Sequence, residues 1–454
     1  MIESIAITNF FCFKERTELS LIAGKERNRH LDDEYCGFTT LGKLNILKVA
    51  FVYGNNGAGK SKMVRAIEII KHLATYMNDD KTDHLPYHPF EFDEDSKKNP
   101  STIEIVYHFN NVRYKYVVKW ERRFIIFEGL SILRLRSEVK CFDRTIVYEK
   151  NAVRTNLAFS SSMGLSKEDQ DIVKSDLLPN NTILSLVNKK NILNPFLNEQ
   201  VSYFNNQIQI VQLRELDLDN TLPDSSMSNG RAVKKVILTI LRAIDSNIVN
   251  YEKLKIKAEI PQSLQDVFTE LPEKLRNNIL RKLQSQLPKS TIITYHDVGT
   301  GKAKPLPLKD QSAGTKEILQ LIVYMHEAIR NHQTILLDDF SSGIQRTTLS
   351  ELLKFFYGGA VDSQMIITTQ DYGLLDSPMT RRDSVRFVSK DKKGIAHIKN
   401  ITLRELHKNL NLPKYISTTN KWGQLPEVNT DILKQAIDEY IETVRNAIHE
   451  EKKS

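Results

Sequence analysis

Residues 46–77 constrain the fold more tightly than any other part of the chain. ILKVAFVYG (46–54) is a continuous apolar run that stops at a glycine, the pattern of a strand buried on both faces of a parallel sheet. SKMVRAIEIIKHLATYM (61–77) follows, with Met63, Ile67, Ile70 and Leu73 at helical spacing. Between them Gly54, Asn55, Asn56, Gly57, Ala58, Gly59, Lys60 and Ser61 fit G-x-x-x-x-G-K-[ST] at every required position. In such a loop the backbone N–H groups point inward at phosphate oxygens. The helix that begins near Gly59 adds the positive end of its dipole. Lys60 is placed to reach the β- and γ-phosphates of ATP, and the Ser61 hydroxyl to coordinate Mg²⁺. Strand, phosphate loop and helix in this order predict an α/β fold of the P-loop type.

TILLDDF (334–340) reads as a second buried strand, and its end supplies carboxylates at the sheet edge where ligands of α/β folds sit. Asp338 is the expected Mg²⁺ ligand, and Asp339 occupies the next position, suited to polarising water. SQMIITTQD (363–371) is a third strand of the same kind. QSAGTKEIL (311–319) opens a helix ahead of the second strand. A serine there is ordinarily an N-cap.

The remaining segments set the organisation. A length of 454 residues suggests about two to three domains. Residues 1–100 are expected to form the first half of the nucleotide-binding core. Residues 101–150, rich in β-branched and aromatic residues, read as an antiparallel β insertion. Residues 151–290 read as a helical insertion or lobe, including the amphipathic RAVKKVILTILRAID (231–245) and a polar helical stretch at 261–287. Residues 291–428 complete the core, with a terminal hairpin from DSVRFVSKD and IAHIKNI, and residues 429–454 form a charged helix.

Composition excludes several classes. No run approaches the roughly 18 apolar residues of a membrane span, and MIESIAITNFFCF lacks the features of a signal peptide. Cys12, Cys36 and Cys141 are too scattered for a disulfide framework or a zinc site, which favours the cytoplasm. The net charge of +8 permits a nucleic acid or another anionic partner without demanding one. Asp376, Asp383, Arg381 and Arg382 read as caps, turns and structural contacts rather than a second catalytic cluster. Phe11 and Phe13 are open to two readings, base stacking or core packing beside the first strand.

The order GNNGAGKS, QSAGTKEIL, ILLDDF, IITTQDYGLLD and RRDSVRFV resembles the ABC-type AAA ATP-binding proteins of bacterial abortive-infection and phage-defence systems, the group that includes the Septu, retron-associated and PARIS ATPases. HPFEFDEDSKKNPSTIEI, NVRYKYVVKW and NKWGQLPEV extend the likeness over nearly the whole chain. The resemblance implies an ABC-ATPase signature at Ser312 and Gly314, with Lys316 one place off its spacing, that binds the γ-phosphate held by an opposite subunit. It therefore implies at least a dimer. It also implies a separate effector, often a nuclease, with nucleic acid or a phage component as further candidate partners.

Three positions depart from that pattern. Asp339 replaces a glutamate, which shortens the reach by roughly 1.5 Å, a misplacement that can cost about 10²-fold in rate. Gln370 stands where a histidine commonly meets the γ-phosphate, and it offers hydrogen bonds without a cation. FSSGIQ (340–345) lacks the usual histidine after the second strand. The expectation is tight ATP binding with slow hydrolysis. The main rival is an SMC-type DNA-repair or chromosome-maintenance ATPase. About 250 residues of mixed strands and short helices between Lys60 and Ser312 fit a long coiled-coil arm poorly.

Overall fold

In the computed structural model the opening IESIAI forms β1 (Ile2–Thr8), which reverses into β2 (Thr17–Ser20). A small hairpin, β3 (Phe38–Leu41) and β4 (Leu44–Leu47), precedes β5 (Val49–Tyr53) and the first long helix, α1 (Lys60–Thr75). The described residues are 1–24, 29–32, 34–149, 152–212, 222, 230–243, 247–255, 268, 271, 275–276, 279–280, 282, 290–340, 344–400, 414–415, 434–437 and 439–441. Most of the helical stretch expected at 261–287, the NKWGQLPEV segment and most of the charged helix expected from 429 lie outside them, as does 341–343 of the FSSGIQ segment.

The strand-rich region forms β6 (Ser101–Phe109), β7 (Val112–Trp120), β8 (Ile125–Leu133), β9 (Glu138–Glu149) and β10 (Ala152–Phe159). These strands are antiparallel, as expected, but they extend the sheet of the first strand. β6 pairs with β1 through Ile103–Ile7 and Ile105–Ile5, giving the seven-stranded order β10-β9-β8-β7-β6-β1-β2.

Residues beyond β10 begin as the expected helices, α2 (Lys167–Asp176), α3 (Ile183–Lys189) and α4 (Pro195–Asn206). The helical lobe expected up to 290 is then interrupted by β11 (Ile208–Gln212), an edge strand of the parallel sheet, and after α5 (Gly230–Ala243) by β12 (Ile248–Lys255). Both are short β-branched runs whose pairing partners lie far along the chain. β12 joins β13 (Ser290–His296) and β14 (Lys304–Pro307) in a three-stranded sheet. The chain then follows α6 (Ala313–Asn331), β15 (Thr334–Phe340), α7 (Arg346–Gly359) and β16 (Gln364–Thr369), and ends its sheets with the hairpin β17 (Val385–Lys390) and β18 (Ala396–Asn400).

The six-stranded sheet, β11-β15-β16-β5-β17-β18, is parallel except for its last strand. Both its faces are covered, which explains the unbroken apolar runs. Ala50, Val52, Leu336 and Ile366 pack with α1 and the antiparallel sheet in one core. Phe51, Tyr53, Ile335, Leu337 and Ile367 pack with α6 and α7 in the other. On the antiparallel sheet, Tyr107 stacks on Tyr203 of α4 at 4.0 Å between ring centres. Arg381 is buried between the carboxylates of Asp32 and Asp383, so it anchors residues 29–32 to the start of β17. Among the described residues no helix is long and apolar enough to cross a membrane.

Candidate functional site

The phosphate loop leaves the C-terminal end of β5, the strand between β16 and β17. Close packing demands its glycines. A Cβ on Gly54 would lie 2.4 Å from the carbonyl oxygen of Val388, and Gly59 adopts φ 118°, a conformation open to little but glycine. Gly59 caps α1 without any side-chain hydrogen bond, and the first turn carries no acid. The uncapped N–H groups and the helix dipole therefore favour an anion at this end.

Lys60 is buried, and its Nζ donates to the carbonyl oxygens of Gly54 at 2.6 Å and Asn55 at 3.1 Å. Burial lowers its pKa below the ordinary lysine value, while Asp339 and then Asp338 push it back up. Both carboxylates thus act on the loop lysine. In a regular strand two successive side chains face opposite sides of the sheet, so this shared direction needs a cause.

A β-bulge supplies it. β15 and β16 are in register at Leu337–Ile367 and again at Phe340–Thr369, which leaves Asp338 and Asp339 opposite Thr368 alone. Asp339 takes the left-handed φ of 50°, and bulges of this kind re-aim a side chain. Aspartate and asparagine tolerate that conformation better than other non-glycine residues, which gives position 339 a backbone reason to be Asp rather than Glu. Thr368, fully buried, locks the bulge. Its hydroxyl donates to Asp338 Oδ1 at 2.7 Å and accepts the Asp339 N–H at 2.8 Å.

Ser61 Oγ donates to the same Asp338 oxygen at 3.3 Å. A hydroxyl and a carboxylate side by side are the hard oxygen donors that Mg²⁺ takes when substrate phosphates and water complete its shell. The residues fit Mg²⁺-ATP.

Gln370 sits exposed just beyond β16 at the same sheet edge. Ser312 is the N-cap of α6, where its Oγ accepts the Thr315 N–H at 3.1 Å and pairs with the Thr315 hydroxyl at 2.8 Å. Gly314 lies in the first turn behind it. α6 runs 19 residues back to the start of β15, so its N-terminus points toward the edge that carries the carboxylates. The structure thus brings Lys60, Ser61, Asp338 and Asp339 together, and leaves Ser312 bonded within its own cap.

Phe13 is fully buried, so core packing decides its role. Phe11 is only partly buried and stacks on His88 at 4.5 Å, with Lys62 Nζ 4.2 Å from its ring. Thr368 and His88 are the residues that sequence reasoning missed. His88 lay within the HPFEFDEDS segment, and Thr368, one of two threonines at the end of IITT, carried no signal that set it apart from other strand residues.

The chain matches the family model described as AAA domain, putative AbiEii toxin, Type IV TA system over residues 49–376. The span takes in the phosphate loop, the Ser312 cap and the β15 carboxylates, and the architecture is that of an ABC-type P-loop ATPase domain. No curated protein matches the chain. Among solved structures it is similar to an SMC head domain from Thermotoga maritima, at 11% identity and TM-score 0.40, covering 88% of this chain and 99% of that one. It is also similar to an SMC head bound to the C-terminal winged-helix domain of ScpA, at 13% identity and TM-score 0.42, covering 89% and 99%.

Proposed function

The chain belongs to the AAA-domain family described as putative AbiEii toxin, Type IV TA system, and from that premise we propose that it is the ATP-hydrolysing subunit of a bacterial anti-phage system. In this reading ATP-driven dimerisation in the cytoplasm regulates a separate effector, a nuclease. One observation carries the nucleotide half: Ser61 bonds Asp338, and Asp338 and the bulged Asp339 both act on the charge of the loop lysine at an uncapped helix end. The family description, which joins an AAA domain to a putative AbiEii toxin of a Type IV TA system, supports the defence half.

Lys60 binds the β- and γ-phosphates in exchange for the carbonyls of Gly54 and Asn55. Ser61 and Asp338 would hold a magnesium ion, which would supply Lewis-acid neutralisation of phosphate charge. Asp339 orients the attacking water and accepts its proton, and Gln370 hydrogen-bonds water and phosphate. Ser312 and Gly314 of a second protomer donate a hydroxyl and a backbone N–H to the same γ-phosphate, assisted by the α6 dipole. A short carboxylate and an uncharged glutamine stabilise the transition state weakly, so hydrolysis is slow and ATP acts mainly as a clamp.

Light scattering at micromolar protein tests the assembly. A dimer is expected with ATP and Mg²⁺ and is lost in Lys60→Ala. A strictly monomeric species with ATP overturns the reading. Co-purification with a nuclease encoded beside this gene, dependent on ATP, tests the effector.

A further inference from the structure

We propose that His296 is a positioning residue for the Ser312 cap, acting through Gln311, the residue immediately before it. The inference rests on the reading of Ser312 as a group that works on a second protomer's nucleotide.

Gln311 is held by two side chains of β13. Thr294 Oγ1 donates to the Leu306 carbonyl at 2.8 Å and accepts from Gln311 Nε2 at 2.7 Å. Gln311 Nε2 also lies 2.6 Å from His296 Nε2, and that ring nitrogen is 3.0 Å from the Thr294 hydroxyl. On its other side His296 Nδ1 lies 2.7 Å from Asn247 Oδ1. The imidazole is thus fixed from both nitrogens while it meets the Gln311 amide.

The network spans separate elements. Thr294 and His296 come from β13, Leu306 from β14, Asn247 from the residue before β12, and Gln311 from the turn that leads into α6. The turn is tied from its other side too, because Lys316 Nζ donates to the Lys309 carbonyl at 2.5 Å and Gln311 N–H to the Leu308 carbonyl at 3.1 Å. The three-stranded sheet thereby fixes the point from which Ser312 and the first turn of α6 are presented.

The test uses the full chain and reads ATP-dependent dimerisation and steady-state hydrolysis together. His296→Ala and Gln311→Met each lower kcat and weaken dimerisation by about tenfold, while affinity for a fluorescent ATP analogue stays within about twofold. His296→Gln keeps an acceptor facing Gln311 and restores kcat. Wild-type kcat and dimerisation in His296→Ala overturn the proposal, as does a His296→Gln variant no more active than His296→Ala. Ser312→Ala separates the two layers. If it leaves turnover and dimerisation intact, the trans reading itself fails. If it abolishes them while His296→Ala and Gln311→Met do not, only the present inference fails.

Discussion

Thr368 donates its hydroxyl hydrogen to Asp338 Oδ1 at 2.7 Å, from the strand beside it in the parallel sheet. The Thr368 hydroxyl oxygen in turn accepts the N–H of Asp339, so one buried threonine orients the Asp338 carboxylate and holds the bulge at Asp339. The spacing of the acids alone would have sent them to opposite faces. The site is therefore a property of two strands together.

Thr368→Val keeps the shape and removes both bonds. A buried N–H left without a partner costs about 1–3 kcal/mol, which urea unfolding detects as a lower midpoint. Hydrolysis should fall by about tenfold or more, with ATP affinity little changed. Thr368→Ser should recover both quantities. Wild-type turnover in the valine variant would remove Thr368 from the site.

Lys60→Ala should weaken binding of a fluorescent ATP analogue by about tenfold to a hundredfold, as expected for losing a charge-assisted bond of about 1.5–3 kcal/mol. Its present partners are loop carbonyls at 2.6 and 3.1 Å, so the phosphate loop loses an internal tie as well. An affinity equal to wild type would show that nucleotide binds elsewhere.

Glu3 predicts an acid-sensitive step. Burial raises its pKa, but hydrogen bonds from His108 and Arg113 outweigh this and hold it below the ordinary 4.5. A depressed carboxylate stabilises the fold above its unfolded value, and that stability is lost as pH falls through the folded value. Wild-type unfolding free energy should thus decline below about pH 4.5. Glu3→Gln should be less stable near neutrality by about 3 kcal/mol and show a flatter acid limb. An identical pH slope in the variant would discount the pair.

The legible parts of the molecule were those with local signals. GNNGAGKS announced the loop because its backbone needs particular residues, and ILLDDF announced β15 because both faces are buried. β11 escaped notice because five residues of IQIVQ carry too little pattern, and its parallel register with β15 depends on chain more than a hundred residues away. β6 reads as part of an insertion until its ladder to β1 is seen. Thr368 looked like any β-branched strand residue. Its role arises from a bulge in the neighbouring strand, which no single segment encodes.

Asp339 tests the chemistry most directly, because its backbone and its side chain make separate demands. At φ 50° an asparagine fits as well as an aspartate. Asp339→Asn should therefore fold with wild-type stability and bind ATP normally, yet lose turnover, since the amide cannot take a proton from water. Asp339→Glu extends the reach by one methylene but strains the bulge, at a cost of about 1 kcal/mol. If reach limits the rate, this variant hydrolyses ATP faster while melting earlier. A loss that falls on kcat with the dissociation constant unchanged is the signature of an interaction made in the transition state. Full activity in Asp339→Asn would eliminate it as the base, and wild-type turnover at hundreds per second in the isolated protein would contradict slow hydrolysis as a whole.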